Sequence, residues 1–129
     1  MIAHNCVFDP TIHISVISKH HNKFDDINET LFKNPKYPDD AVLVDVPDGR
    51  YIFINRQHPN VKSEDTVHFL IAREVARLRL NATEVESERV QSKAIEMCAE
   101  KGMQSVVEHG RDLFYQTHCI TYDEYLLDN

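Results

Sequence analysis

Glycine is scarce in this chain, with three residues in 129, at positions 49, 102 and 110. No Gly/Ser-rich linker, low-complexity segment or internal repeat divides the sequence, so residues 1–129 are expected to form a single domain. That length can bury a core without disulfides or metal. Cysteine is equally sparse: Cys6, Cys98 and Cys119 are odd in number, far apart and without a C-x-x-C pair. The pattern excludes a disulfide framework and predicts buried free thiols in a reducing compartment, hence a cytoplasmic protein. Long apolar runs are missing too. The opening "MIAHNCVFDP" has no basic region followed by an apolar stretch, so no secretory signal is expected, and nothing approaches the length of a membrane span. Positive charge is in deficit, with 14 basic against 21 acidic residues and a net charge of −7. General affinity for phosphate backbones or anionic membranes is thereby excluded, and the dispersed aromatics lack the basic stripe that base stacking needs. G-x-G-x-x-G, G-x-x-x-x-G-K and G-x-S-x-G are all absent, which removes the dinucleotide fingerprint, the P-loop and the nucleophile elbow.

What is present is a change of periodicity along the chain. "TIHISVIS", Thr11 to Ser18, alternates Ile12, Ile14 and Val16 with His13 and Ser15, which is strand spacing. "DDINETLFK" places Phe24, Ile27 and Leu31 on one helical face, and Pro35 to Pro38 reads as a connection. In "AVLVDVPDGRYIFIN" two β-rich runs flank Pro47-Asp48-Gly49, a hairpin signal. Ser63 can cap a helix running to about Leu80, with Glu64 and Asp65 at its positive end. Its apolar face is Ile71, Val75 and Leu78, flanked by Ala72 and Ala76. Thr83-x-x-Glu86 has capping-box spacing before a helix that turns Val90, Ala94 and Met97 inward and stops at Gly102. Val106, Val107, Gly110, Leu113 and Phe114 keep helical spacing, and Thr121 to Glu124 caps a short last turn. Strands early and helices late predict an α+β fold, a small sheet or hairpin packed against three to four helices.

The centre of the chain, "HFLIAREVARLRL", contains Arg73-Glu74-Val75-Ala76-Arg77, the outline of H-E-x-x-H with arginine at each histidine position. "YIFIN", a connection, this helix, and then a glutamate-rich helix ending "SKAIEM" resemble the core of small gluzincin metallopeptidases over roughly Ala41 to Cys98. The resemblance implies a zincin-like fold, with a hairpin edge beside the motif helix and a glutamate on the next helix as third zinc ligand. Residue by residue, Arg73 and Arg77 fall on the zinc histidines and Glu74 on the general base. Glu84, Glu86 or Glu88 falls on the third ligand. Zinc needs neutral imidazoles one turn apart with a base between them. A guanidinium stays protonated and offers no lone pair, so this pseudo-site of Arg73, Glu74, Arg77, Glu84 and Glu88 is expected to hold no metal or other cofactor.

Eight histidines leave room for a displaced metal site. His20 and His21 are adjacent and point apart, and His13, His58, His68, His109 and His118 lack i, i+4 partners, so scattered surface and capping roles are expected. His68, five residues before Arg73, lies nearest the presumed cleft. Three functional readings follow. The first is a catalytically inactive zincin-like domain that binds a protein partner, an inhibitor or adaptor suited by small size, acidity and the absent metal site, with low glycine and a compact single domain pointing to a phage or mobile-element origin. The second is a metal-dependent hydrolase with rearranged ligands, using Glu74 and some of the histidines. The third is an unrelated α+β binding domain whose arginine helix is solvated surface. Under the first, Arg73 or Arg77 is expected to pair with Glu88 or its neighbours, while Arg79 points toward solvent.

Overall fold

The computed structural model describes residues 3–18, 24–33, 40–84 and 86–128, apart from the side chains of 3–5 and 24. His20, His21 and the Pro35–Pro38 connection lie outside the described residues. The protein is α+β. Four strands, β1 (Ala3–Cys6), β2 (Asp9–Ile17), β3 (Ala41–Val46) and β4 (Gly49–Asn55), form one sheet in the order β1-β2-β4-β3. β1 is antiparallel to β2, β2 is parallel to β4, and β3 is the antiparallel edge beside β4. The hairpin stands where its turn residues placed it, with Val46 opposite Gly49 across Pro47-Asp48. Gly49 has φ +138°, open to glycine and strained for other residues. β1 has no counterpart in the periodicity, being too short and polar to show one.

The two faces of the sheet bury different residues. Ile12, Ile14, Ala41, Leu43, Ile52 and Ile54 face the main core. On the other face Ile17, Val42 and Phe32 make a smaller cluster under Ile27 and Leu31. Those two belong to α1 (Phe24–Ile27) and the π-turn that continues it (Asn28–Phe32), where the Lys33 amide donates to the Asn28 carbonyl at 2.9 Å. The expected helix is therefore short and ends in a widened turn. Ser15, on the polar side of the β2 alternation, is buried, because this second layer covers part of that face.

The main core lies between the sheet and α2 (Glu64–Arg79), α3 (Glu88–Glu100) and α4 (Gln104–His118), with α5 (Tyr122–Leu127) folded onto α4. Ser63 caps α2, its hydroxyl accepting from the Thr66 amide at 3.3 Å. α3 begins later than the Thr83 spacing implied: its cap is Ser87, whose hydroxyl accepts from the Val90 amide at 3.2 Å. Asn81 takes φ +51° to end α2, and Thr83, Glu84 and Glu86 are exposed. Those three polar residues offer the core nothing to bury, so the helix starts only where Val90, Gln91 and Ala94 can face inward. Gly102, φ +71°, ends α3, and the Met103 amide returns to the Cys98 carbonyl at 3.0 Å. Thr121 and Glu124 form the reciprocal cap of α5. α4 crosses α2 at Gly110, where an added Cβ would lie 2.7 Å from Phe69 Cδ1 and closer still to Cε1. Only hydrogen fits there. The thiols divide, with Cys6 and Cys98 buried and Cys119 exposed, so the expectation of three buried cysteines fails at the third.

Candidate functional site

Arg73 and Glu74 sit in the middle of α2 and are almost fully covered, at 3% and 1% exposure. An amphipathic surface helix would put such residues in water. Here α2 is enclosed by the sheet, α3 and α4, so burial extends around the helix and takes in both charges. Each must then find a partner, since an isolated buried charge costs several kcal/mol.

Arg73 finds Asp40. Its Nη2 donates to Oδ1 at 2.7 Å and Nη1 to Oδ2 at 3.2 Å, a two-pronged pair with both side chains buried. Asp40 immediately precedes β3, and its carbonyl accepts from the Asn55 amide at 2.8 Å. Burial pushes the Asp40 carboxyl up, yet the Arg73 charge and hydrogen bonds outweigh it and hold the group below the usual carboxylate range.

Glu74 finds the edge strand. The bond between Asp40 and Asn55 sets the ladder so that residues 42, 44 and 46 bond to β4 while 41, 43 and 45 turn their amides to the open edge. Glu74 Oε1 accepts from one of these, the Leu43 amide, at 3.0 Å. Its other oxygen, Oε2, lies 3.6 Å from Arg77 Nε, an ion pair without a hydrogen bond. Burial therefore dominates and raises the Glu74 carboxyl above its usual range, against the pull of Arg73 and Arg77. Arg77, half-buried, also reaches the Ala82 carbonyl at 3.4 Å.

The structure thus brings together Arg73, Glu74 and Arg77, but not in the expected pairing. Glu84 and Glu88 are exposed, and among the described residues neither pairs with these arginines. The acidic residue of that segment that Arg73 senses is Glu86, which lines a cavity of about 40 Å³ with Asp40, Arg73, Gln91 and Thr117. That is room for one water molecule. Arg73 Nε, buried beside it, has no hydrogen-bond partner among the described residues. The partner missed in the sequence is Asp40. Its signal was faint: an aspartate just before a strand, 33 residues from its arginine. Arg79 is exposed, as expected, and also donates to the Phe8 carbonyl at 2.6 Å, tying α2 to the β1–β2 turn.

Three of the described histidines serve the scaffold. His109 Nε2 lies 2.6 Å from Thr66 Oγ1, joining α4 to α2, and His118 Nε2 lies 2.8 Å from Gln91 Oε1, joining α4 to α3. His13 packs on Tyr51 with ring centroids 5.0 Å apart. Among the described residues no three His, Cys, Asp or Glu side chains converge closely enough to hold a metal ion. Among the same residues no helix is long and apolar enough to cross a membrane.

Chemically, the Glu74 cluster works as a clip between α2 and β3: its charges alternate in sign, and its carboxylates are engaged with the Leu43 amide and with guanidinium groups. The chain matches no family model, no curated protein and no solved structure.

Proposed function

We propose that this chain is a zincin-like domain without metal chemistry that works by binding another protein, as an inhibitor or adaptor. The reading is supported by the element order, in which a hairpin with an antiparallel edge strand precedes the motif helix and a second helix packs beside it. The observation that carries it is the state of Glu74. The residue aligned with the family's general base is 1% exposed and donates nothing to a cleft, because its carboxylate holds the edge-strand amide of Leu43. A general base must reach the proton it removes, directly or through one water. Glu74 reaches a strand instead.

Arg73 completes the substitution of structure for chemistry. Where the family has an imidazole on zinc, this chain has a guanidinium on Asp40, so fixed positive charge balances the carboxylates. A fold can persist after such replacement because activity resides in a few grafted side chains. The test is the zinc content of protein purified without chelators, together with its ability to cleave an unstructured protein. We expect substoichiometric zinc and no cleavage, in the wild type as in Glu74→Gln. Stoichiometric zinc with cleavage abolished by Glu74→Gln would overturn the reading.

A further inference from the structure

Exposed large apolar side chains are few among the described residues: Val7, Val46, Tyr115, Leu126 and Leu127. Three of the five belong to the α4–α5 unit. There Arg111, Asp112 and Tyr115 of α4 face Thr121, Tyr122 and Asp123 across a groove of about 360 Å³, within the range of recognition pockets. Its wall is fixed from inside. Phe114 is fully buried against Tyr122 and Tyr125, with ring centroids 5.4 and 5.2 Å away. Arg111 pairs with Asp123 at 2.7 Å and lies over the Tyr122 ring at 5.6 Å. Leu126 and Leu127 stand one helical turn beyond Tyr122 and Asp123, extending the apolar strip past the groove. Leu127 is 86% exposed and Tyr115 56%.

Charge around this strip is one-sided. From Gln104 to Asp128 the chain carries the carboxylates Glu108, Asp112, Asp123, Glu124 and Asp128 against the single arginine Arg111. That excess supplies more than half of the net −7. Arg111 is already paired with Asp123, and Glu124 with the Thr121 cap. Asp112, on the groove, has no ion pair among the described residues. An apolar strip in a ring of carboxylates is poorly suited to a second copy of so acidic a chain. It is complementary to an apolar side chain flanked by lysine or arginine.

We propose that the α4–α5 groove is the docking surface of this protein and takes a basic, amphipathic helical segment of its partner. An apolar anchor would enter the groove beside Tyr115, with the segment running on toward Leu127 and a cation over Asp112. This rests on the protein-binding function proposed above and names its surface.

The test is fluorescence anisotropy of a labelled amphipathic leucine–lysine peptide titrated with the full chain at near-physiological salt, where diffuse attraction is screened. We expect saturable binding that Tyr115→Ser, Leu127→Ser and Asp112→Lys each weaken by about fivefold or more. These exposed positions should leave the melting temperature in place, and Val46→Ser, on the hairpin, should bind as the wild type does. A leucine–glutamate peptide of the same spacing should not bind. Wild-type affinity in the groove variants Tyr115→Ser and Asp112→Lys and in Leu127→Ser beyond it would overturn the proposal, as would equal binding of the acidic peptide. So would a wild-type dimer in sedimentation velocity that Leu127→Ser converts to monomer, since the occupant would then be a second copy. Absence of peptide binding in a zinc-free, inert protein removes this surface alone. Zinc-dependent cleavage removes the functional reading beneath it.

Discussion

Replacing Arg73 by Met and Asp40 by Ala, singly and together, tests whether the charges inside α2 anchor the fold. Both side chains are about 95% covered and share two hydrogen bonds of 2.7 and 3.2 Å. Asp40→Ala leaves a buried guanidinium without its carboxylate. Arg73→Met leaves a carboxylate beside Glu74, whose own burial already opposes ionisation. Removing one member of a buried pair costs about 3–5 kcal/mol, because the survivor is an uncompensated charge. Against a total stability of roughly 5–15 kcal/mol, either single change should bring the urea midpoint down sharply. The double variant removes both charges and leaves a methionine that fills much of the arginine volume. It should cost less than the sum of the singles, with a coupling of at least about 2 kcal/mol. Urea unfolding followed by circular dichroism gives all three values on one scale. Single losses below about 1 kcal/mol that simply add would refute the reasoning and make the pair incidental.

Further consequences are local. Glu74 has a raised carboxyl in the folded state, so its ionisation opposes folding. Relative to Glu74→Gln, the wild type should gain stability as pH falls through the folded value toward 4.5, the ordinary value of a glutamate. Asp40 runs the other way: held low when folded, it contributes stability above its ordinary value near 3.8 that is lost as pH falls further, and Asp40→Asn should abolish that acid loss. Arg77→Ala should cost about 1–3 kcal/mol, because Glu74 Oε2 loses its cation. It should exceed Arg79→Ala, which removes a bond to the Phe8 carbonyl but strands no buried charge. Gly110→Ala should destabilise by about 1–3 kcal/mol through overpacking against Phe69 and Ile95. In native protein a thiol reagent should modify Cys119 alone, since Cys98 is buried with its thiol pushed up to about 12.

Much of the fold was legible because it rests on local signals. The Pro47-Asp48-Gly49 turn, the Ser63 and Thr121 caps and the inward face of α2 depend on residues near one another in sequence. The start of α3 was misread because Thr83 and Ser87 offer equivalent hydroxyls, and the choice between them is made by where the core can bury Val90. Helical spacing puts Arg73, Glu74 and Arg77 within one turn of α2, but spacing says nothing of what lies opposite. The enclosed middle of α2 takes Arg73 out of water, and Asp40 becomes its partner only once the hairpin has folded back beside the helix.

The most direct test is a zinc titration of the wild type and of Arg73→His with Arg77→His, each followed by competition with a chromophoric chelator. The account predicts no stoichiometric binding by the wild type, whose Glu74 is held by Leu43 and Arg77. It predicts one equivalent in the double variant, with imidazoles restored one turn apart and a carboxylate from the Glu84–Glu88 segment as third ligand. One tightly bound equivalent in the wild type, or none in a correctly folded double variant, would contradict the proposal of a zincin-like scaffold turned away from metal.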